Sequence, residues 1–430
     1  MLAVLALAAM AAGDDWPAFR GGALAGVPAG KAHPAEWDTK KNIKWSVELP
    51  PGWSSPIVVK DRVFVTAAKS GARQPAVRKG LYIEDLNGKK PPGEHEWQVL
   101  CLDAATGKEL WRKTPFKGKM PGTVHIKNSL ASETPASDGE RVYSVFGNVG
   151  IACHDLEGKE LWTRKLPARK TQMGWGTGAS PALCEGKLIL VDDNEEASSI
   201  EALDAKTGEP VWKTKRKETS NWATPFVWKN DKRTEIVTAG KGKVRSYSSE
   251  GKELWELGGM STIAIPTPFA AHGLLYVSSG YVMDFFNKPV YAIKPGAKGD
   301  ISLKDDATSN DWIAWRQRHA GAYHPTPLVL GDHLYVLHDR GFLACYDART
   351  GKEAYGKKRL GSASFTASPW ANGKDVCCLS EDGETWVIQG GKEFKILRRN
   401  KLEGMSLASP AVSAGRLYVR TQDKLWCVAE

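Results

Sequence analysis

The sequence lacks the short motifs that usually reveal a catalytic class. None of the patterns HExxH, GxxxxGK[ST], GxSxG or CxxC occurs in its 430 residues. It therefore carries no signature of a zinc protease, a P-loop nucleotide-binding protein, an α/β-hydrolase or a dithiol redox site. The glycine-rich stretch at residues 174–178 is not followed by a helical pattern, so it does not indicate a phosphate cradle. We predict no catalytic residue from motifs.

Long hydrophobic runs are also lacking. The apolar segment at residues 2–12 is shorter than the ~20 residues that span a bilayer, and it contains an A-x-A pattern at Ala9-Met10-Ala11. We interpret residues 1–12 as a signal peptide and expect an exported protein, periplasmic or extracellular. No other segment is apolar enough to be transmembrane, and no cysteine follows the cleavage region to carry a lipid. Residues 13–42 are predicted to be an N-terminal extension.

Neither sign of charge forms a block. Lys and Arg number 59 against 49 Asp and Glu, a net charge of +10, but the excess is spread along the chain. Because nucleic-acid binding requires a basic stripe with interleaved aromatic residues, we predict no nucleic-acid partner. A protein or anionic envelope partner fits an exported basic surface better, and we expect a monomer. The acidic turn at residues 192–196 could hold calcium, but we favour a solvated hairpin and predict no metal site.

A repeat accounts for the length of the chain, which exceeds the ~250–300 residues that one hydrophobic core usually reaches. With 43 glycines and 24 prolines the composition is well below the roughly 25–30 % typical of disorder. A Ser-Pro or Thr-Pro pair introduces alternating apolar residues eight times, near the ~40–50-residue period of propeller blades. The pairs begin at Ser55, Thr134, Ser180, Thr224, Thr267, Thr326, Ser368 and Ser409.

Each repeat contains four short strands with tight turns, predicted in the sixth unit at 327–330, 333–338, 342–346 and 353–357. The third turn reads Asp-x-x-Thr-Gly in three units, and its glycine accepts the positive φ that closes such turns. An aromatic residue follows that glycine by four positions and is expected to pack against the next sheet. These aromatic residues are Trp111, Trp162, Trp212, Trp255 and Tyr355, with Trp315 in the fifth unit and Phe394 at the position or one place off it in the irregular seventh unit.

The eighth repeat has only three strands before the last residue of the sequence. An additional strand with an aromatic residue, Trp45, lies upstream of the first repeat at residues 43–49. We predict that this strand completes the eighth sheet and closes the ring, which removes free sheet edges. The predicted fold is all-β: an eight-bladed β-propeller of four-stranded antiparallel blades over residues 43–430.

The seven cysteines are an odd number for a disulfide framework. Cys101, Cys153, Cys345 and Cys427 share one position of the third strand in four units. They are therefore a blade apart, beyond the ~6.8 Å between Cα atoms that a disulfide allows. Cys377 and Cys378 follow each other in a predicted strand, where consecutive side chains point to opposite faces. We predict that the cysteines are buried packing residues.

The repeat A-x-D-x-x-T-G-x-x-x-W, intact at residues 202–212, resembles the tryptophan-docking repeat of the pyrroloquinoline-quinone (PQQ) family of propellers. The stretch D-W-P-A-F-R-G at residues 15–21 also resembles the start of many exported PQQ-repeat proteins. The family includes PQQ-dependent alcohol dehydrogenases and the propeller lipoprotein of the outer-membrane β-barrel assembly machinery. The resemblance covers nearly the whole mature chain and implies the scaffold, since these repeats do not define the site.

The segments before the Ser/Thr-Pro pairs meet at the mouth of a propeller funnel, the default position for a ligand. Packing of these residues on one another is the competing interpretation. The candidate ligand-binding residues are His125, Lys127, Asn128, Glu133, Trp175, Asn221, Trp222, Tyr323 and His324.

Three functions follow from this. The first, which we favour, is a non-catalytic binding or scaffold propeller that receives a protein or envelope ligand at its funnel face. The second, implied by the resemblance, is a PQQ-dependent oxidoreductase with calcium. In it Trp222 or Trp175 would form the floor under the quinone, Glu133 and Asn128 would bind calcium and Lys127 would lie near the quinone oxygens. No aspartate at a matching position can be named as its base. The third is a role in outer-membrane protein assembly.

Overall fold

Alternating apolar residues bounded by glycine turns form short antiparallel strands in the computed structural model, which describes residues 14–82 and 86–430. The predicted signal peptide, residues 1–12, lies outside the described residues. The strands form eight sheets, numbered here as blades 1 to 8 in the order of the repeats.

From the channel outwards, the strands of the first four blades have the following bounds. They are Ile57–Val59, Arg62–Ser70, His95–Asp103 and Glu109–Gly118 in blade 1; Ala136–Ser137, Arg141–Phe146, Gly150–Asp155 and Glu160–Lys165 in blade 2; Ala182–Cys184, Lys187–Asp192, Ser199–Asp204 and Pro210–Lys215 in blade 3; and Phe226–Lys229, Thr234–Ala239, Lys243–Tyr247 and Glu253–Gly258 in blade 4. A fifth strand, Gly299–Asp300, pairs in parallel with the outer strand of blade 4.

The other four blades follow the same order. Their strands are Phe269–Ala271, Leu274–Ser278, Val290–Ile293 and Ile313–Gln317 in blade 5; Leu328–Leu330, His333–His338, Phe342–Asp347 and Glu353–Arg359 in blade 6; Trp370–Asn372, Asp375–Leu379, Glu384–Gln389 and Ile396–Lys401 in blade 7; and Ala411–Ser413, Arg416–Arg420, Lys424–Val428 and Ile43–Glu48 in blade 8. The described helical segments are two short 3₁₀ turns, Phe19–Leu24 and Gln172–Gly174.

The amino-terminal strand closes the ring. Ile43–Glu48 pairs antiparallel with Lys424–Val428 and places Trp45 opposite Cys427. The eight-bladed propeller of four-stranded antiparallel blades is therefore confirmed, as is its closure by the strand predicted at residues 43–49. At the same junction the buried Arg420 donates to Ser54 O at 3.1 Å and to Thr66 O at 2.7 Å, which ties blade 8 to blade 1.

The repeated tryptophan binds to the glycine turn of the next blade. The indole N–H of Trp162 donates to Ala205 O at 3.2 Å, and its ring covers Gly208 so closely that a Cβ there would lie 2.6 Å from it. Gly208 has φ +76°, so the turn needs glycine for its backbone as well as for the space above it. The same arrangement pairs Trp45 with Gly107, Trp111 with Gly158, Trp212 with Gly251 and Trp315 with Gly351.

Blades 4, 6 and 7 depart from this pattern, and blade 6 has Tyr355 in place of the tryptophan. Trp255 of blade 4 meets no glycine turn in blade 5, and its indole N–H donates to the buried Glu235 at 2.7 Å. In blade 7 the outer strand begins at Ile396, so Phe394 precedes it and packs edge-on against Tyr355 of blade 6. The prediction that Phe394 holds the docking position is wrong, because the strand register gives that position to Arg398.

The Ser/Thr-Pro pairs form a hydrogen-bonded belt around the channel. The backbone N–H of Ser55 donates to Thr134 Oγ1 at 3.0 Å, and the N–H of Thr134 donates to Ser180 Oγ at 2.9 Å. Within residues 14–82 and 86–430, six of the eight junctions carry such a bond. The remaining four join Ser180 to Thr224, Thr267 to Thr326, Thr326 to Ser368 and Ser368 to Ser409. At these six junctions the hydroxyl of one pair links neighbouring blades.

All seven cysteines are buried free thiols, so the packing interpretation is confirmed. Cys101, Cys153 and Cys345 each lie opposite the docking aromatic residue of their own blade. Burial raises the pKa of these three thiols to about 12 and keeps them protonated and unreactive.

The acidic turn of blade 3 is not a fully solvated hairpin. Asp193 is buried and accepts two hydrogen bonds from Arg216, at 2.8 and 3.0 Å. Glu195 and Glu196 remain exposed. The prediction failed for Asp193 because strand register, rather than composition, decides which side of a turn a side chain faces.

The extension at residues 14–42 lies against the inner strands. Trp16 exchanges backbone hydrogen bonds with Val58 of blade 1 at 2.7 and 2.9 Å. The buried guanidinium of Arg20 donates to Pro327 O at 3.0 Å, which ties the extension to blade 6. Among the described residues, no helix has the length and apolar character needed to cross a bilayer.

Replacing Gly208 with alanine tests the docking interaction. The added Cβ meets the Trp162 ring and forces strain at positive φ, so we expect the free energy of unfolding to fall by about 2–4 kcal/mol. Gly186→Ala is the control, because Gly186 has φ +74° with open space around its Cβ position. Denaturant unfolding of both variants measures the difference. Equal losses would show that backbone strain alone explains the glycine.

Candidate functional site

The connection between the second and third strands of blade 1, residues 71–94, crosses the mouth of the funnel; we call it the blade 1 loop. On one side Gly88 N donates to Met173 O at 2.7 Å, before blade 3. On the other side Gly80 N donates to Glu381 Oε2 at 2.8 Å, in blade 7. The described parts of this loop therefore reach across the ring and cover much of the predicted site.

Lys127 forms a buried ion pair. Its Nζ lies 2.6 Å from Glu381 Oε1 and donates to Gly80 O at 2.8 Å. The two side chains are 13 % and 3 % exposed, and Glu381 also accepts from Thr366 Oγ1 at 2.6 Å. Lys127 thus joins the blade 1 loop, blade 2 and blade 7, and its charge is already neutralised.

The side-chain amide of Asn128 bonds to groups of the surrounding loops. Its amide group donates to Trp175 O at 2.9 Å and to Thr177 O at 2.8 Å, and its Oδ1 accepts from Ser132 Oγ at 2.5 Å. These bonds hold the connection before blade 2 against the connection before blade 3. Both ends of the amide are therefore occupied by protein groups.

Glu133 lies in a separate buried position, 3 % exposed, where Thr177 Oγ1 donates to its Oε1 at 2.6 Å. Burial raises the pKa of this carboxyl above its ordinary value, although the bond from Thr177 and nearby backbone N–H groups oppose the shift. Glu133 borders a pocket of about 100 Å³ between blades 2 and 3, which Asn221 also lines.

Three aromatic candidates, His125, Trp175 and Trp222, form a cluster of tilted and edge-on rings. The rings of Trp175 and Trp222 have centroids 5.6 Å apart, and Trp175 also meets His125 at 6.0 Å. The Trp175 indole N–H donates to Leu86 O of the blade 1 loop, and the Trp222 N–H donates to Gly176 O at 2.8 Å. Trp175 therefore supports the loop over the mouth directly, and Trp222 packs against Trp175.

Tyr323 and His324 lie on the blade 6 side with a partner that sequence reasoning missed. The buried Asp339 accepts from the backbone N–H groups of Tyr323 and His324 at 2.9 and 3.1 Å, and His324 Nδ1 bonds to its carboxylate. Burial raises the pKa of Asp339, but the facing His324 and the backbone N–H groups outweigh it, so the pKa is lowered. The only feature of the sequence that could have indicated this partner is the position of Asp339 in a turn between two predicted strands.

Three cavities open around this face. The central channel holds about 130 Å³, lined by the Ser/Thr belt with Phe19, Trp53 and Trp222. A cleft of about 420 Å³ lies between the blade 1 loop and blades 8, 1 and 2. A third space of about 310 Å³ lies under the other side of the loop, beside His324.

The residues that the resemblance assigned to PQQ and calcium do not fit those groups in this arrangement. Lys127 is paired with Glu381, both ends of the Asn128 amide are bonded, and Trp175 carries rings on two sides. In residues 14–82 and 86–430 no three His, Cys, Asp or Glu side chains are grouped as a metal site would require. Cys377 and Cys378 lie inside blade 7, away from the channel.

Comparison with known proteins supports the repeat. A family model described as "Outer membrane protein assembly factor BamB", a PQQ-repeat family, matches residues 95–282 and 297–424, which is most of the chain. The chain belongs to the PQQ-like β-propeller family. Quinohemoprotein alcohol dehydrogenase ADH IIB of Pseudomonas putida is 28 % identical to this PQQ-repeat propeller over 191 residues, 43 % of this chain and 25 % of that enzyme.

A second curated relative is the dehydrogenase subunit of the quinone alcohol dehydrogenase of Acetobacter aceti. It is 23 % identical over 307 residues, which are 65 % of this chain and 39 % of that protein. The PQQ-repeat propeller described here thus spans well under two thirds of the length of these relatives.

Solved structures share the fold. BamB from Moraxella catarrhalis aligns with a TM-score of 0.58 at 14 % identity, over 90 % of this chain and 97 % of that one. Quinohemoprotein alcohol dehydrogenase from Comamonas testosteroni aligns with a TM-score of 0.60 at 13 % identity, over 96 % of this chain and 80 % of that one. The same propeller is therefore found in an assembly factor and in an oxidoreductase.

Glu133→Gln tests the state of the buried carboxyl. Because the folded pKa is raised, the stability contributed by the protonated carboxyl is present below its unfolded pKa and is lost as the pH rises through the folded pKa. We expect glutamine, which imitates the protonated form, to raise the melting temperature at pH 7.5 by about 1–3 °C. The gain should disappear near pH 4.

Thermal unfolding with and without calcium is the measurement, with the exposed Glu393→Gln as control. A calcium-dependent stabilisation of the wild type that Glu133→Gln abolishes would contradict this account and make Glu133 a calcium ligand.

Lys127→Met tests what holds the blade 1 loop. Removing one partner leaves Glu381 buried without its counter-charge, so we expect the free energy of unfolding to fall by about 3–5 kcal/mol. Hydrogen exchange should also increase in the loop. The control is Lys79→Met, which removes a more exposed ion pair to Asp382 with side chains 52 % and 33 % exposed. That loss should stay below about 1 kcal/mol. Similar effects of the two variants would contradict a special role for Lys127.

Proposed function

We propose that this PQQ-repeat propeller is a non-catalytic binding module of the cell envelope that receives a protein or envelope ligand at its funnel face. The observation that carries the proposal is the blade 1 loop. It is held across the mouth by Lys127, Glu381 and Trp175, and it encloses a cleft of ligand size beside them. These side chains, which could otherwise contact a substrate or cofactor, hold the blade 1 loop in place, while the cleft beside them is open.

The cleft has the character of a binding site. Its volume of about 420 Å³ falls in the range of ligand pockets. Apolar side chains, including Trp53, Val77 and Ile126, form much of its wall, and Gln74 and Ser129 add polar groups at the same surface. A partner with an apolar body and a few polar groups would fit this lining.

A second apolar feature on the same face supports a protein partner. The connection between the second and third strands of blade 5 exposes Met283, Phe285 and Phe286 at 63 %, 75 % and 83 %. Apolar side chains grouped in one exposed loop are typical of interaction surfaces. The family description as an outer membrane protein assembly factor supports an envelope location and keeps an assembly role as an alternative.

The second alternative, a PQQ-dependent oxidoreductase, draws its support from the relatives named as alcohol dehydrogenases. When bound, the quinone would supply hydride-accepting chemistry at the mouth. The side chains assigned to the quinone and calcium bond to other protein groups, so we derive no reaction step through the quinone.

Reconstitution with PQQ and calcium separates a binding module from an oxidoreductase. We expect no quinone absorbance to remain with the protein after gel filtration and no dye reduction with alcohols. Stoichiometric retention of PQQ together with calcium-dependent dye reduction would overturn the proposal in favour of the oxidoreductase.

Phe285→Ser with Phe286→Ser tests the partner surface. We expect this double variant to lose envelope proteins that the wild type captures, measured by quantitative mass spectrometry. Leu161→Ser with Val211→Ser is the matched control, because these apolar residues are 40 % and 50 % exposed on outer strands away from the mouth. Capture that is equal in all three proteins would contradict a partner at the funnel face.

A further inference from the structure

The space under the blade 7 side of the blade 1 loop is a second cavity, separate from the cleft proposed above. It holds about 310 Å³, the size of a small ligand. Gly80 and Leu81 of the loop form one side, and His324, Arg340 and Arg359 contribute to the other. Its chemistry differs from that of the apolar cleft, because ionisable side chains line most of it.

The acidic groups at this cavity already have hydrogen-bond partners. The carboxylate of Asp339 bonds to His324 Nδ1 and accepts two backbone N–H groups. The carboxylate of Glu381 is paired with Lys127 and also accepts from Thr366 and the backbone N–H of Gly80. Both carboxylates are therefore held by protein donors at this cavity.

The basic groups are not neutralised. Among the described residues, neither Arg340 nor Arg359 forms an ion pair, and both are exposed at the cavity. Arg359 Nη1 donates to the backbone carbonyl of Arg340 at 3.1 Å, and its guanidinium lies 4.9 Å from the centre of the Phe342 ring, so the Arg359 side chain is held beside the Arg340 backbone. The pKa of the neighbouring Lys288 is lowered, first by burial and then by the like charges of Lys357 and Arg340, although Asp284 opposes this. Positive charge is therefore concentrated here.

His324 adds a directed polar group. Its Nδ1 is held by Asp339, and no described protein group bonds to its Nε2. With Nδ1 turned toward the carboxylate, Nε2 is the ring nitrogen that can hydrogen-bond a hydroxyl group of a ligand. The cavity thus combines two guanidinium groups, which recognise carboxylate or phosphate, with a ring nitrogen that hydrogen-bonds a hydroxyl group.

We propose that this cavity binds a small hydroxylated anion, such as a sugar acid or a sugar phosphate, with the anionic group on Arg340 and Arg359 and a hydroxyl at His324. The ligand is either a free metabolite or the end of an acidic polysaccharide, since both present the same chemistry. This site and the cleft of the proposed function lie on opposite sides of the blade 1 loop. The two proposals can therefore be tested independently.

Isothermal titration calorimetry with glucose 6-phosphate, galacturonate and neutral glucose tests the site. We expect both anions to bind and glucose not to bind. Arg340→Ala with Arg359→Ala should weaken the anions by roughly 100-fold, as expected for the loss of two charge-assisted contacts. Arg73→Ala with Lys119→Ala removes the same charge from exposed positions elsewhere and should change affinity less than about twofold. Equal losses in the two double variants, or no binding of either anion by the wild type, would overturn the proposal.

His324→Gln tests the hydroxyl contact. It should weaken glucose 6-phosphate while leaving inorganic phosphate unchanged, and its melting temperature reports any loss from the Asp339 pair. Equal weakening of both probes would contradict the assigned role of His324. Tighter binding of oligogalacturonate than of galacturonate would identify a polymer end as the source, and equal binding would identify a free metabolite. Either result supports the site.

Discussion

The fold depends on one contact, the docking of a tryptophan on the glycine turn of the next blade. A blade by itself has two free sheet edges and cannot bury both of its faces. The indole of Trp162 covers Gly208 and donates to the backbone beside it, so blade 2 is stabilised by blade 3, and four other junctions carry the same contact. Trp45 makes the same contact with Gly107, which turns a row of sheets into a closed ring.

The channel and the mouth are built on that ring in different ways. Around the channel, hydroxyl groups of the Ser/Thr-Pro pairs accept backbone N–H groups of neighbouring blades, so polar residues there hold the scaffold together. At the mouth, the blade 1 loop is joined to distant blades by Lys127, Glu381 and Trp175. The buried ion pair of Lys127 and Glu381 thus positions the blade 1 loop, and the cavities on either side of this loop are the spaces that a ligand could enter.

Much of the fold was predictable because its signals are local and repeated. The Ser/Thr-Pro pair recurs eight times and gives the number of blades, and the four-residue spacing of Gly208 and Trp212 recurs in several of them. Phe394 was assigned wrongly because blade 7 lacks the local turn that fixes the count, and strand register gives the position to Arg398. The site was less predictable. Nine mouth residues were named from position, but their partners Asp339 and Glu381 lie in turns of blades 6 and 7 that carry no distinguishing motif.

The sequence by itself determined the eight blades, their order, the closing strand and the burial of the cysteines, since each follows from spacing within one repeat. Only the tertiary structure decided that Lys127 pairs with Glu381, 254 residues away, and that the blade 1 loop lies over the mouth. It also placed Arg340 and Arg359 at the same cavity as His324. Contacts between distant blades depend on the curvature of the whole ring, and no local pattern of residues encodes that geometry.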